Sequence, residues 1–152
     1  MKEINEGDIT RGTVKSIKPY GAFIQMENGK TGLLHIEDIS IGRIKSPEER
    51  LKIGQKIDIV VKSIDSENNK INFSYKELLG NWEENVKDIS QGTIVKGKAR
   101  DIEKHKNGIF IEIKPNLIGM AEYKPGIVYG QDVEVYVKKI IPEKKKIKLK
   151  IL

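Results

Sequence analysis

Glu6-Gly7-Asp8-Ile9-Thr10-Arg11-Gly12 is answered later in the chain by Ser90-Gln91-Gly92-Thr93-Ile94-Val95-Lys96-Gly97. In each stretch two glycines stand five residues apart. A glycine-aromatic turn follows both, Tyr20-Gly21-Ala22-Phe23 in the first and Asn107-Gly108-Ile109-Phe110 in the second. Each unit then reaches a Gly-Gln pair (Gly54-Gln55, Gly130-Gln131) and two runs of alternating apolar residues. Self-similarity at a period of roughly eighty residues means two small domains in tandem rather than one large core.

Within the first unit the alternation reads as strands. Thr10 to Ile17 alternates loosely. Ala22, Ile24 and Met26 then alternate with Phe23 and Gln25, and Asn28-Gly29 is a strong hairpin signal before a third strand, Lys30 to His35. Ile57, Ile59 and Val61 alternate through a fourth strand, and Ser66-Glu67-Asn68-Asn69 forms the next turn. Ile71, Phe73 and Tyr75 share one face of the fifth strand, with Asn72 and Ser74 on the other. Five such strands are most simply closed into a barrel, because closure removes the edges. Ser46-Pro47-Glu48-Glu49 carries the pattern of a capping box with proline at the first helical position, predicting one or two helical turns that plug the barrel and end by Gly54.

The second unit repeats the order. Ile109, Ile111 and Ile113 alternate with Phe110 and Glu112; Val133, Val135 and Val137 with Glu134, Tyr136 and Lys138; Ile147, Leu149 and Ile151 with Lys146, Lys148 and Lys150. The stretch from Glu122 to Tyr129 spans seven positions where His35 to Ile53 spans eighteen, so the plug is expected to be missing there. Between the units, Leu78, Leu79, Trp82 and Val86 fall on one helical stripe, predicting a linker helix. Trp82 reads either as a ligand platform or as an anchor docking one barrel on the other. The expected class is all-β, with domains at residues 1–76 and 88–152 and a helical linker at 77–87.

Composition bounds the function. Domains of about seventy residues bury only about 60% of their unfolded surface, so compact β architecture or mutual docking is expected. The chain has no cysteine, excluding disulfides and thiolate metal sites and fitting a reducing cytosol. No apolar run approaches the length of a membrane span, and Met1-Lys2-Glu3-Ile4-Asn5-Glu6 is not a secretory leader, so a soluble cytoplasmic protein is expected. The net charge of +6 favours a polyanion, although a solvated lysine-rich surface gives the same excess. His35 and His105 lack metal spacing, and neither a phosphate-binding Gly-x-x-x-x-Gly-Lys-Ser loop nor a Gly-x-Ser-x-Gly elbow occurs. No enzyme, metal or cofactor is expected.

Strand parity supplies the chemistry. With Ala22, Ile24 and Met26 on the core side, Phe23 turns outward, and Tyr20 lies close by. Exposed rings beside lysines suit single-stranded nucleic acid, since stacking on a ring is worth roughly 1–3 kcal/mol per base and lysines neutralise the backbone. Packing of Phe23 under a loop or against the partner domain is the alternative.

The run Gly12-Thr13-Val14-Lys15-Ser16-Ile17-Lys18-Pro19-Tyr20-Gly21-Ala22-Phe23-Ile24, followed by Gly32-Leu33-Leu34-His35 and Leu51-Lys52-Ile53-Gly54-Gln55-Lys56-Ile57, closely resembles the S1 RNA-binding domain. This is the OB-fold module of ribosomal protein S1 and of polynucleotide phosphorylase. The resemblance covers residues 6–76 and implies a five-stranded OB barrel with Tyr20, Phe23, His35, Asp65 and Lys70 on its nucleic-acid face. It implies base stacking by Tyr20 and Phe23, and contact of His35 with base or phosphate. It further implies phosphate held by Lys70, and Asp65 orienting its neighbours or accepting from ribose. The second unit resembles a degenerate copy: Asn107 stands for the first aromatic, Phe110 keeps the second, Glu122 replaces the histidine, Ile141 the aspartate, and Lys146 keeps the cation. There Glu112 is expected to point out beside Phe110 and repel phosphate, against an outward stripe of Lys146, Lys148 and Lys150.

The expected partner is single-stranded RNA, held by the first unit, with Phe110, Lys146 and Lys148 as candidate contacts on the second. Single-stranded DNA is not separated from RNA, because no residue can be tied to a 2′-hydroxyl. With 24 lysines and 4 arginines, low base selectivity is expected. The second unit reads equally as an electrostatic helper or as a surface for a protein partner. For the whole chain, the competing reading is an interaction module docking on the ribosome or an RNA-turnover complex.

Overall fold

The computed structural model describes residues 4–152. The chain divides into two units, one made of the residues up to Ser40 with Ile44–Leu79, the other of Ile41–Arg43 with Gly80–Leu152. Each unit contains one closed five-stranded barrel. The first is built from β1 (Ile9–Lys18), β2 (Gly21–Met26), β3 (Thr31–His35), β4 (Lys56–Asp65) and β5 (Lys70–Ser74), in the order β1-β2-β3-β5-β4. The second is built from β6 (Ile94–Glu103), β7 (Gly108–Lys114), β8 (Leu117–Glu122), β9 (Asp132–Ile141) and β10 (Lys146–Ile151), in the order β6-β7-β8-β10-β9. Within each barrel the third and fifth strands pair in parallel and the other contacts are antiparallel. The repeat in sequence is a repeat in topology, and the fold is all-β with two tandem OB-like barrels.

Alternation sets each core. Val14, Ile24, Leu34, Ile59 and Phe73 fill the first barrel, and Ile109, Ile111, Leu117, Val135 and Val137 fill the second. The paired glycines of the repeat have a packing reason. A Cβ at Gly12 would strike the Ile24 side chain, and one at Gly97 would strike that of Ile111, so in both barrels the first strand must pass bare over the second. The Asn28-Gly29 turn forms with Met26 N–H donating to the Lys30 carbonyl at 2.8 Å.

The expected plug is a short 3-10 turn, Pro47–Glu49. Its capping box is complete: Ser46 Oγ accepts from Glu48 N–H at 3.2 Å, and Glu49 Oε2 accepts from Ser46 N–H at 3.4 Å. Leu51 beyond it is buried in the first core. The second barrel has no helical element between β8 and β9, as the shorter connection predicts.

Two expectations need correction. The stripe of Leu78, Leu79, Trp82 and Val86 does not form one helix: a 3-10 turn, Lys76–Leu79, is separated from α1 (Trp82–Val86) by Gly80 at φ +85°. Asn81 then starts α1 with its own capping box, and Trp82 and Val86 pack against the second core. A left-handed glycine followed by a new N-cap ends one helix and begins another, which periodicity alone does not register. In β5 the strand ends at Ser74, which is buried rather than outward, and Tyr75 lies beyond it. Among the described residues no helix is long and apolar enough to cross a membrane.

Candidate nucleic-acid interface

The candidate face of the first barrel is assembled by register. Phe23 on β2 lies opposite Ser16 on β1 and Leu33 on β3; Leu33 lies opposite Asn72 on β5, and Asn72 opposite Ser63 on β4. Directly opposed residues share a face, so these five side chains form one outward row. Because β3 and β5 run parallel, His35, two residues after Leu33, lies toward one end of this row, whereas Lys70, two before Asn72, and the opposed Asp65 lie toward the other. Neighbouring strands are about 4.8 Å apart, which leaves roughly 10 Å of surface between the β2 and β5 backbones.

The turn before β2 brings Tyr20 to this row. Gly21 lies opposite His35, and a Cβ on Gly21 would strike the Leu34 carbonyl, so only glycine lets the turn approach β3 this closely. Ile36 N–H then donates to the Tyr20 carbonyl at 2.8 Å. The Tyr20 ring is 48% exposed and meets the half-buried Phe23 ring edge to face, with centroids 6.3 Å apart. His35 is half-buried at the end of β3. Its Nδ1 accepts from Glu37 N–H at 3.2 Å and caps a 3-10 turn, Ile36–Asp38, which leaves Nε2 as the donor of the neutral ring.

Asp65 and Lys70 close the β4–β5 hairpin as directly opposed residues. Asp65 Oδ2 accepts from Asn68 Nδ2 at 2.7 Å, and Oδ1 accepts from Asn68 N–H at 3.2 Å. The side-chain bond from Asn68, followed by its backbone bond, holds the Asp65 carboxyl below its ordinary value, and Lys70 adds a smaller pull in the same direction. Beside them the surface opens into a cleft of about 660 Å³ whose lining includes Asn28, Lys30, Asp65, Asn69 and Lys70. Tyr20 and His35 therefore lie toward one end of this flank and Asp65 and Lys70 toward the other, with Phe23 in the row between them. Leu33, Asn72 and Ser63 also belong to that flank, with Asn72 Nδ2 donating to Ser63 Oγ at 3.0 Å. Parity in β3 and β5 marks Leu33 and Asn72 as outward; only the cross-strand register shows them beside Phe23.

In the second barrel Phe110 is half-buried on β7, opposite the exposed Met120 on β8, which lies opposite Lys148 on β10. Lys146 and Lys148 are exposed. Glu112 corrects the sequence expectation: it does not stand out beside Phe110 but is buried, with Arg100 Nη2 at 3.1 Å from its Oε2. Arg100 is 2% exposed, and the Tyr129 ring centre lies 5.5 Å from its guanidinium. The cause is a register shift in β6 between Ala99 and Ile102, which turns Ala99 and Arg100 inward in succession. A second shift in β7, after Glu112, brings the carboxylate to meet the cation. The negative charge is neutralised internally, and the reason for expecting phosphate repulsion there disappears.

A closed five-stranded barrel with one parallel contact, bearing aromatic and basic side chains on one flank, is an OB-type barrel. Residues 3–76 match the S1 RNA binding domain, and the first barrel belongs to that family. It is 34% identical to small ribosomal subunit protein bS1 of Rickettsia conorii over 99% of this chain and 28% of that protein. It is also 34% identical to 4-hydroxy-3-methylbut-2-enyl diphosphate reductase of Clostridium acetobutylicum over 98% of this chain and 25% of that enzyme. Among solved structures, GSP13 from Bacillus subtilis is 29% identical with a TM-score of 0.47, covering 50% of this chain and 58% of that one. The chain thus spans between a quarter and two fifths of the length of the curated relatives it matches.

Proposed function

We propose that the first barrel binds single-stranded RNA without catalysing a reaction, and that the protein acts in translation or RNA metabolism in the cytoplasm. Bases stack on Tyr20 and Phe23, Lys70 holds a phosphate, His35 contacts base or phosphate, and Asp65 accepts from ribose or orients its neighbours. The observation that carries this reading is the exposed Tyr20 ring set edge to face against Phe23, on the flank that also bears His35 and Lys70. Membership of a family described as RNA-binding and likeness to ribosomal subunit proteins support it. Likeness to a quarter of a reductase is no basis for assigning that enzyme's activity here.

Fluorescence-anisotropy titration of labelled single-stranded RNA tests the face: Phe23→Ala and Lys70→Ala weaken binding, and Phe110→Ala weakens it less. Unchanged affinity in both first-barrel variants overturns the assignment. A docking role on the ribosome is the competing reading, and it rests on the ribosomal relatives. A gel shift of the full chain against a mixed oligonucleotide pool separates the two, since a pure docking module leaves the pool unshifted.

A further inference from the structure

The net charge of this chain sits in one hairpin. Residues 138–150 contain seven lysines and one glutamate, which leaves 21 basic and 21 acidic residues elsewhere, so the whole +6 belongs to this segment. The hairpin consists of the end of β9, a 3-10 turn at Pro142–Lys144 and β10. Along β10, exposed Lys146, Lys148 and Lys150 alternate with buried Ile147, Leu149 and Ile151, so a cation recurs about every 6.7 Å. On β9 a register shift opposite Lys148 and Leu149 leaves Lys138 and Lys139 both exposed. Of the seven lysines, Lys145 alone has an ion-pair partner among the described residues, Glu83 at 3.6 Å.

This arrangement works against folding. Lys139 and Lys148 are directly opposed across the β9–β10 ladder, and like charges so placed destabilise a sheet. A polyanion lying over the ladder turns that repulsion into attraction. The surface also carries apolar relief. Tyr136, 38% exposed, lies between Ile94 on β6 and Lys150 on β10, and both neighbours are exposed. Alongside runs a cleft of about 490 Å³ whose lining includes Glu122, Tyr123, Lys124, Lys138 and Lys150.

We propose that the outer face of β9–β10 is a second contact for single-stranded RNA, running away from the flank that bears Phe110. Lys139, Lys148 and Lys150 neutralise successive phosphates, and the Tyr136 ring takes a base. Lys148 and Lys150, about 6.7 Å apart along β10, match successive phosphates, Lys139 across the ladder from Lys148 meets the next one, and lysine serves phosphate as a point charge. The choice of RNA as the polyanion rests on the reading of the first barrel; the surface itself does not.

The test uses the full chain and a fluorescein-labelled oligouridine, titrated at a series of potassium chloride concentrations. Lys139→Gln/Lys148→Gln/Lys150→Gln makes the plot of log K against log salt shallower by about 2, three phosphates at about 0.7 each. The matching triple arginine variant keeps the original slope. Phe23→Ala lowers affinity at every salt concentration and leaves the slope unchanged. The urea midpoint of the glutamine variant is at least that of the parent, because repulsion is relieved. An unchanged slope in the glutamine variant overturns the proposal. If that variant instead loses affinity for polyglutamate while its RNA slope stays, the surface serves an acidic protein and the proposal is wrong. A changed slope together with a silent Phe23→Ala sinks the first-barrel reading and leaves this one standing.

Discussion

The rings of Tyr20 and Phe23 meet edge to face, 6.3 Å between centroids and 89° between planes. Each ring therefore restricts the other, and a base stacked on one borders the second. If both rings serve the same stretch of RNA, Tyr20→Ala and Phe23→Ala each raise Kd by about tenfold to a hundredfold, following the usual strength of base–aromatic stacking. The double variant then loses less than the sum of the two, because each single change already unsettles the remaining ring. Strict additivity in an anisotropy-based double-mutant cycle contradicts this coupling between the rings.

Lys62 and Asp38 supply a pH-dependent element. Lys62 Nζ donates to Asp38 Oδ1 at 2.9 Å, and this hydrogen bond, with the Coulomb attraction of the same carboxylate, raises the Lys62 ammonium above its ordinary 10.5. A folded value above the unfolded one means the stabilisation is fully present below pH 10.5 and is lost as pH rises through the folded value. The urea midpoint is expected to fall across that alkaline window in the parent and to fall less in Lys62→Gln. Equal alkaline slopes in the two proteins contradict this role.

The barrels were legible because their signals are local: alternating apolar residues, Asn28-Gly29 at a turn, and glycines where one strand must pass close over another. Phe23 was legible for the same reason, since its neighbours Ala22 and Ile24 claim the core. Arg100 was not. Nothing in Ala99-Arg100-Asp101-Ile102 announces the irregularity in β6 that turns two successive residues inward, and without it parity places Arg100 on the solvent side. Glu112 followed the same error, because an acidic residue between two isoleucines reads as outward until a buried cation is known to face it. Leu33, Asn72 and Ser63 are outward by parity, but their place beside Phe23 depends on which strands adjoin, a property of the closed topology rather than of any one segment.

Asp65 offers a second titration with the opposite sign. Its bonds from Asn68 hold the carboxyl below 3.8, so what it contributes to the β4–β5 turn is present above that value and is lost as pH falls through the lower folded one. The Asn68 side-chain amide signals in an NMR titration are expected to move with the Asp65 midpoint, below pH 3.8. Asp65→Ser abolishes that movement. A midpoint at or above 3.8 contradicts the hydrogen-bonded turn.

The Arg100–Glu112 pair decides how the second barrel tolerates change. Both side chains are buried, at 2% and 7% exposure, and the guanidinium lies 5.5 Å from the Tyr129 ring centre. Two charges withdrawn from water add little net stability, but removing one partner leaves the other ionised in an apolar surrounding, at a cost of about 3–5 kcal/mol. Arg100→Met is therefore expected to lower the unfolding free energy of the second barrel by about that amount. Replacing both charges, in Arg100→Met/Glu112→Leu, recovers most of the loss because no buried charge remains. Denaturation of the full chain followed by Trp82 fluorescence reads this directly, since Trp82 packs against the second core. RNA affinity of the first barrel stays unchanged in both variants. If Arg100→Met leaves the Trp82 transition where it was, the pair is neither desolvated nor structural, and Glu112 returns to the solvent side as a charge that phosphate must meet.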